Sequence, residues 1–495
     1  MKHLRIASRK SDLARIQAYS VGYKLQEAYP DLKIEYLFSA SAGDLNLDLD
    51  LSKYGEKGLF TADLNNDLKA KKFEMIVHSW KDLPTEPRPE SEVVATWPRE
   101  DQRDVILIAK KYWPEIKDSK KINILTSSPR RVYNLSQGFK DLLPTKVDEL
   151  EFSLVRGNIP TRLNKLFRGD GQALVVAKAA LDRLMSAEAD EFQSTKKEIQ
   201  QKIKDCFFMV LPLSLNPNAA AQGALAIEIL RENTALKQML LKLNSENDFK
   251  AVETERDKLS SYGGGCHQKI GVGLLKREYG DVLFLKGLTE KGEVLNEQSI
   301  QTPFPEFKNA FPQSMKEVSW FHRTPLNPSF NFSSNIGYLP ARKEAWSESL
   351  PYEFGQTPVW VSGLKSWQKL ASLGVWVHGC SDGLGEAESP NVDVLFQKQI
   401  DWCKLTHQLS PAKNKIVTYE LTEKNIELDL SSYDLFFWAS STLFDYALKK
   451  QPQILKAHHV CAPGLTYQTL KQKIPSSHLH VALGFEDWLK KIERE

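Results

Sequence analysis

The stretch Leu4-Arg5-Ile6-Ala7-Ser8-Arg9-Lys10-Ser11-Asp12-Leu13-Ala14 sets the grammar of the chain. Leu4–Ser8 reads as a short strand. Ser11-Asp12 then offers a helix N-cap, a side-chain oxygen for the free N–H groups of a first turn. Behind it Ala14, Ala18, Val21, Leu25 and Ala28 recur at spacings of three and four, giving the helix one apolar face. The unit repeats, with a strand at Ile34–Ser39, a charged helix at Thr61–Lys72 and a third strand at Phe73–His78. Alternation of this kind predicts βαβ units and a largely parallel sheet.

A second block, roughly 100–203, has the same pattern. Val105–Ala109, Ile122–Thr126, Phe152–Val155 and Ala173–Ala177 are strand-like, and Pro129 stands where a first helical turn begins. Phe207–Leu211 returns as an apolar strand. Two similar α/β blocks joined by a returning segment predict two lobes with a cleft between them. Residues 226–305 change character: a helix containing Ala251–Arg256 is followed by Ile270–Leu275, Val282–Leu285 and Val294–Ile300, alternating across turns. That predicts a helix packed on an antiparallel sheet. Prolines then interrupt the chain, and short strands resume at Val359–Val361, Val375–Val377, Ile416–Tyr419, Leu435–Trp438 and His459–Cys461. The expected division is 1–98 with 204–225 as a first α/β domain, 99–203 as a second, 226–305 as a small α+β domain, 306–356 as a linker, and 357–495 as a further α/β region.

At 495 residues the chain is long enough for three or four domains. A net charge of +3 excludes a global polycation, so no nucleic-acid partner is expected and any anion specificity must be local. Five cysteines, none in a CxxC pair, argue against a zinc ribbon and fit a reducing compartment; no metal is expected. No run reaches the ~18 apolar residues of a membrane helix. A cytoplasmic monomer is the expectation.

Five polar stretches stand where the two blocks leave strands or open helices: Ala7–Ser11, Lys57–Phe60, Val77–Pro84, Thr126–Arg131 and Arg156–Arg162. At the carboxyl ends of parallel strands they would line a cleft. Ser127-Ser128 opening a helix supplies hydroxyls and free N–H groups for an anion. Arg130, Arg131, Arg156 and Arg162 add forks suited to carboxylates. Asp82, beside Lys81 and a proline, is the carboxylate embedded in these stretches, and a carboxylate in a cationic cleft can move protons or stabilise a developing cation. A separate loop, Gly263-Gly264-Gly265-Cys266, delivers a thiol suited to covalent attachment. The residues alone leave two readings open: an enzyme, or a two-lobed binding protein for small anions that has no need of Asp82 or Cys266.

The stretches ASRKSDLA, KGLF, VHSWKDLP, REDQRD, TSSPRR, RGNIPTRL, AQGALAIE and GGGCH, collinear over about residues 3–300, resemble the hydroxymethylbilane synthase (porphobilinogen deaminase) family. The resemblance implies a two-lobed, periplasmic-binding-protein-like fold with a small third domain. In such a protein Cys266 tethers a dipyrromethane cofactor by a thioether. Four porphobilinogen units are added head to tail with loss of ammonia, and hydroxymethylbilane is released by hydrolysis. Asp82 matches the catalytic aspartate. Lys81, Ser127, Ser128, Arg130 and Arg131 match residues that hold the cofactor, and Arg9, Ser11, Lys57, Arg156 and Arg162 match residues that hold substrate carboxylates. Glu56, Ala221 and Lys269 depart from the usual family pattern. The region 357–495 loosely resembles uroporphyrinogen-III synthase, and Tyr419 is its candidate functional residue.

Overall fold

The computed structural model describes residues 2–39, 62–264, 268–302, 304–328, 335–385 and 388–493. The first lobe is a five-stranded sheet in the order β2-β1-β3-β10-β4. Its strands are β1 (His3–Arg9), β2 (Lys33–Ser39), β3 (Met75–Ser79), β4 (Ser91–Ala95) and β10 (Leu225–Leu230). β1 runs parallel to β2 and β3, as the βαβ alternation requires, whereas β10 is antiparallel to both β3 and β4. The second lobe repeats the plan in the order β7-β6-β8-β5-β9. Its strands are β5 (Asp104–Ala109), β6 (Lys121–Leu125), β7 (Glu149–Ser153), β8 (Ala173–Ala177) and β9 (Cys206–Val210). β6 is parallel to β7 and β8, and β5 is the antiparallel member.

The strand Cys206–Val210 pairs with β5 and therefore lies in the second lobe, not in the first as the division at 204 had it. The chain returns along residues 211–224 and enters the first sheet only at β10, so that strand is not part of the third domain. The physical reason is burial. β9 is apolar at every position, and both faces of its sheet are covered, by clusters that include Phe207 and Met209 on one side and Phe208 and Val210 on the other.

The third domain packs the helix Glu246–Ser260 on the antiparallel sheet β11 (Lys269–Leu275), β12 (Asp281–Leu288) and β13 (Val294–Gln301). Ala251 on the helix joins Ile270, Val272, Leu283 and Leu285 in its core.

The segment 306–356 is not a linker. It supplies β14 (Ala310–Phe311), β15 (Phe321–Pro325) and β16 (Ile336–Pro340) to the C-terminal region. A pair follows, β17 (Trp360–Val361) and β18 (Gly379–Cys380), then β19 (Asp401–His407), β20 (Lys415–Glu423), β21 (Leu435–Trp438), β22 (His458–Cys461) and β23 (Leu479–Val481). Two sheets result, β14-β21-β22-β23 and β15-β20-β19-β16. The chain passes between them twice, after β14 and after β20. Prolines in this segment mask short strands at the sheet ends and edges, where a missing N–H is tolerated.

Val375–Val377 is also not a strand; the residues that pair are Gly379 and Cys380. The preceding residues are buried because they dock on the second lobe. Val361, Trp367, Val375 and Trp376 share one apolar cluster with Ile106, Phe139, Phe207 and Met209. Trp367 donates through its indole to the Leu142 carbonyl at 3.0 Å, and Trp376 to the Phe208 carbonyl at 3.0 Å. The Val210 N–H on edge strand β9 is taken up by the His378 carbonyl at 2.8 Å. Among the described residues no helix is long and apolar enough to cross a membrane.

Candidate functional site

In both lobes the polar stretches among the described residues follow the carboxyl ends of parallel strands. Ser11, after β1, caps the helix Asp12–Ala28 by accepting from the Ala14 N–H at 3.4 Å. Arg9 is half-buried at the end of β1. After β3, Trp80, Lys81 and Asp82 form one turn of 3-10 helix. Trp80 is buried against Phe249 and anchors the turn, leaving the Asp82 side chain exposed. After β6, Ser128 caps the helix Pro129–Ser136. After β7, Arg156 is half-buried, and Asn158 caps the helix Ile159–Arg168.

Beneath these strand ends lies Asp104, a fully buried carboxylate at the start of β5. It accepts from Arg130 Nη2 at 2.8 Å, from Arg131 Nε at 3.0 Å and Nη2 at 2.6 Å, and from Asn216 Nδ2 and Gln222 Nε2, both at 2.9 Å. Burial alone would raise its pKa, but the Arg131 and Arg130 guanidinium groups outweigh that and hold the carboxyl far below the usual carboxylate range. A charge removed from water this completely persists only when fully paired. Arg130 and Arg131 were expected as open forks for ligand carboxylates; they are buried and directed at Asp104. Arg130 Nη1 also reaches Asn216 Oδ1 at 3.0 Å and the Pro217 carbonyl at 2.6 Å, while Arg131 Nη1 reaches the Val175 carbonyl at 3.0 Å.

Lys81 stands next to this core. Its ammonium donates to Gln222 Oε1 at 3.1 Å, and the same amide's nitrogen holds Asp104. Burial pushes the Lys81 pKa down against the pull of Asp82, and the charges of Arg131 and Arg130 add to the fall. Arg162 feels the same charges: burial and Arg131 bring it down to about 10, with Asp82 opposing. Its Nε is held by the Gly157 carbonyl at 2.7 Å. The Ser127 hydroxyl turns inward to the Val155 carbonyl. Lys81, Asp82, Arg131 and Arg162 are thus brought into one electrostatic neighbourhood spanning both lobes. Lys57 and Cys266 lie outside the described residues.

The loop that leads to Cys266 is described as far as Gly264. Gly263 and Gly264 have φ of 101° and 63°, a region that L side chains rarely adopt. A Cβ on Gly264 would stand 2.6 Å from Thr85 Oγ1, so the third-domain loop runs against the segment that follows Asp82. The helix before the loop fixes this approach: Arg256 donates to the Leu83 carbonyl at 3.2 Å and to that of Pro84.

Reading from sequence passed over Asp104 and Gln222, though both lie in quoted stretches, REDQRD and AQGALAIE. The signal was an acidic residue at the start of an apolar strand in a chain with paired arginines elsewhere. It also passed over Glu228, which gathers His78, Arg88 and Ser91 at 2.6 to 3.0 Å beneath β3. Tyr419 is distant in sequence and lies on β20. It is buried, with the Arg342 guanidinium 5.9 Å over its ring and the His407 ring 5.5 Å away.

Two α/β lobes of one spatial plan, cationic side chains gathered at their strand ends with Asp82 exposed beside them, and a glycine loop from a third domain together define a two-lobed protein whose third domain is brought against the segment after Asp82. A family model described as "Porphobilinogen deaminase, dipyromethane cofactor binding domain" matches residues 4–238. The porphobilinogen deaminase of Syntrophomonas wolfei is 34% identical over 289 residues, 58% of this chain and 85% of the relative. That of Natranaerobius thermophilus is 34% identical over 316 residues, 63% and 92% of the two chains. That of Synechococcus elongatus is 34% identical over 272 residues, 54% and 77%. The chain belongs to the porphobilinogen deaminase family.

Proposed function

We propose that this chain is a hydroxymethylbilane synthase, a transferase that joins four porphobilinogen units head to tail with loss of ammonia and releases the linear product by hydrolysis. The observation that carries the reading is the approach of the Gly264 loop to the Asp82 segment, beside the cations Lys81 and Arg162. The residues fit a dipyrromethane. Lys81 and Arg162 are cations whose burial is relieved by a carboxylate, and Gly263-Gly264 lets the backbone come close without a side chain in the way. Cys266 would hold the group through its sulfur, with Lys81, Ser127, Ser128, Arg130 and Arg131 toward its carboxylates. When bound, the group supplies the nucleophilic pyrrole carbon to which the first unit is joined.

The chain's own residues then divide the work. Arg9, Ser11, Lys57, Arg156 and Arg162 receive the carboxylates of incoming porphobilinogen. Arg130 and Arg131, both paired with the one carboxylate of Asp104, act mainly as the rigid floor of the site and leave it one net positive charge. They keep some donor capacity, since a guanidinium has five N–H groups. Asp82, exposed at the end of its turn, accepts pyrrole N–H groups, stabilises positive charge that develops as ammonia leaves, and takes up a proton as each new bond is completed. Nothing in this assignment needs a second subunit, a membrane or a nucleic acid, and a cytoplasmic monomer is the simplest setting.

Intact-mass measurement of the purified protein tests the reading. A dipyrromethane increment is expected on the wild type and not on Cys266→Ala. Its absence from active wild-type protein would sink the proposal.

For the C-terminal region the second reading is a uroporphyrinogen-III synthase. It is supported by the tail's own two-sheet plan, which gains strands from 310–340, and by the cations at the seam around Tyr419. Arg342 lies over the ring, and burial, with the charges of Lys404, Arg342, Lys415 and Arg323 after it, brings the His407 pKa down to about 4. The isomer formed from porphobilinogen decides it. If only the uncatalysed type-I ring is recovered from the full chain, the second activity is absent.

A further inference from the structure

One carboxylate of the C-terminal region reaches into the deaminase part of the chain. Asp382, just after β18, is buried and adopts φ 50°. Its side chain accepts from the Leu213 N–H at 3.0 Å, the Ser214 N–H at 3.0 Å and the Ser214 hydroxyl at 2.6 Å. Leu213 and Ser214 open the segment 211–224 by which the chain returns from the second lobe to the first. Two residues on, Asn216 donates to Asp104 and accepts from Arg130, and the adjacent Pro217 carbonyl takes the same Arg130 nitrogen. Further along the segment, Gln222 holds both Asp104 and Lys81. On its other side the Asp382 carbonyl accepts from Gln298 of β13 at 3.2 Å, which ties the third domain to the same turn.

The tail is already anchored to the second lobe by Trp376, packed on Trp113 and Phe207, and by Trp367, held by the Leu142 carbonyl, in a cluster that also takes in Leu211 and Leu215 of this segment. Docking the tail does not require a carboxylate here. Burying one costs stability unless it is paired, and φ 50° is a conformation that L residues other than Asn and Asp rarely adopt. Three donors converge on it, all from the segment that carries Asn216 and Gln222.

We propose that Asp382 is a positioning residue for the deaminase reaction: by fixing the start of the returning segment it sets where Asn216 and Gln222 hold Arg130, Asp104 and Lys81. The catalytic unit therefore extends beyond the region shared with the porphobilinogen deaminases that the chain matches, whatever the tail itself catalyses.

The test uses full-length Asp382→Ala, Asp382→Asn and Ser214→Ala, with Lys365→Ala (an exposed partner of Glu486 on the same tail) and Trp376→Phe as controls. Kinetics with porphobilinogen, melting temperature and cofactor mass are read for each. Asp382→Ala is expected to raise KM roughly three- to tenfold with a smaller change in kcat, as loss of a group that positions binding residues does. Asp382→Asn, which keeps one acceptor oxygen, should recover part of the loss. Ser214→Ala combined with Asp382→Ala should add little to Asp382→Ala alone, because the two act through one contact. Lys365→Ala should match the wild type, and Trp376→Phe should lower the melting temperature without moving KM. Wild-type KM and kcat in folded Asp382→Asn and Ser214→Ala would overturn the proposal. So would a KM rise in Trp376→Phe equal to that of Asp382→Ala, because the effect would then be general loosening. If Asp382→Ala does not fold, Asp382→Asn and Ser214→Ala decide in the same two directions.

Discussion

Arg99 and Glu255 meet through two parallel hydrogen bonds, each of 2.8 Å, in a place closed to water. Arg99 lies in the first passage between the lobes, and Glu255 on the third-domain helix. Glu255 also accepts the N–H groups of Ala221 and Leu274 at 2.8 Å, so one carboxylate joins a passage, the returning segment and the third-domain sheet. Removing one partner of such a pair leaves the other charge buried and alone, at a cost of about 3–5 kcal/mol. Glu255→Gln is therefore expected to lower the urea midpoint substantially, and Arg99→Ala by a similar amount. The double variant should lose less than the sum of the two.

Asp82 is exposed and anchored only through its backbone turn, so its replacement should spare the fold. Asp82→Asn should reduce kcat by roughly 10²–10⁴, the usual range for loss of a positioned proton-transfer group, with an unchanged melting temperature. Single-turnover measurement of ammonia release checks this directly.

Ala221 adopts φ 68° with no exposure. Left-handed backbone costs an L residue about 1–2 kcal/mol. Ala221→Gly should therefore raise stability by at most about 1 kcal/mol, the relief being largely offset by the loss of one buried methyl and the greater freedom of the unfolded chain. Thermal unfolding would show it as a small rise in Tm.

Acid should act first through known groups. Burial would raise the Glu228 pKa, but His78, Ser91 and Arg88 bring it to about 2. A carboxylate depressed on folding contributes stability that is complete above its unfolded pKa of 4.5 and is lost as pH falls from there through 2. Unfolding free energy measured from pH 5 to 2 should decline by up to about 3 kcal/mol on this account. Glu228→Gln should be less stable at neutral pH and show a flatter acid limb.

The docked tail covers apolar surface and the open edge of β9. A chain ended after Gln301 would expose Ile106, Phe139 and Met209 together with unpaired N–H groups on that edge. Such a surface promotes edge-to-edge association. The shortened protein should sediment as aggregates where the full chain does not.

Much of the site was legible because its signals are local. Ser11, Ser128 and Asn158 cap the helices they precede, and a cap requires only three or four neighbouring residues. The polar stretches lie at strand ends because the βα alternation dictates it. What escaped depends on partners far along the chain. β10 cannot be placed in the first sheet without knowing that Glu228 meets His78, 150 residues away. Arg130 and Arg131 look like open forks until Asp104 is found between them. Val375–Val377 has the burial of a strand without the pairing, because its partner is another domain's apolar face. The short strands β14, β15 and β16 are hidden among prolines, which local pattern reads as a linker.

The two lobes share one spatial plan, yet each draws its antiparallel strand from a different side of the chain. The second sheet comes from an unbroken run, β5 to β9. The first is split around it and lacks β10 until residue 230 has been made. During synthesis, then, the later lobe is the first that can close. The N-terminal half waits with β3 and β4 unjoined while more than a hundred residues are added between them and their common neighbour, β10. The order of assembly on the ribosome is the reverse of the order of the lobes in the sequence.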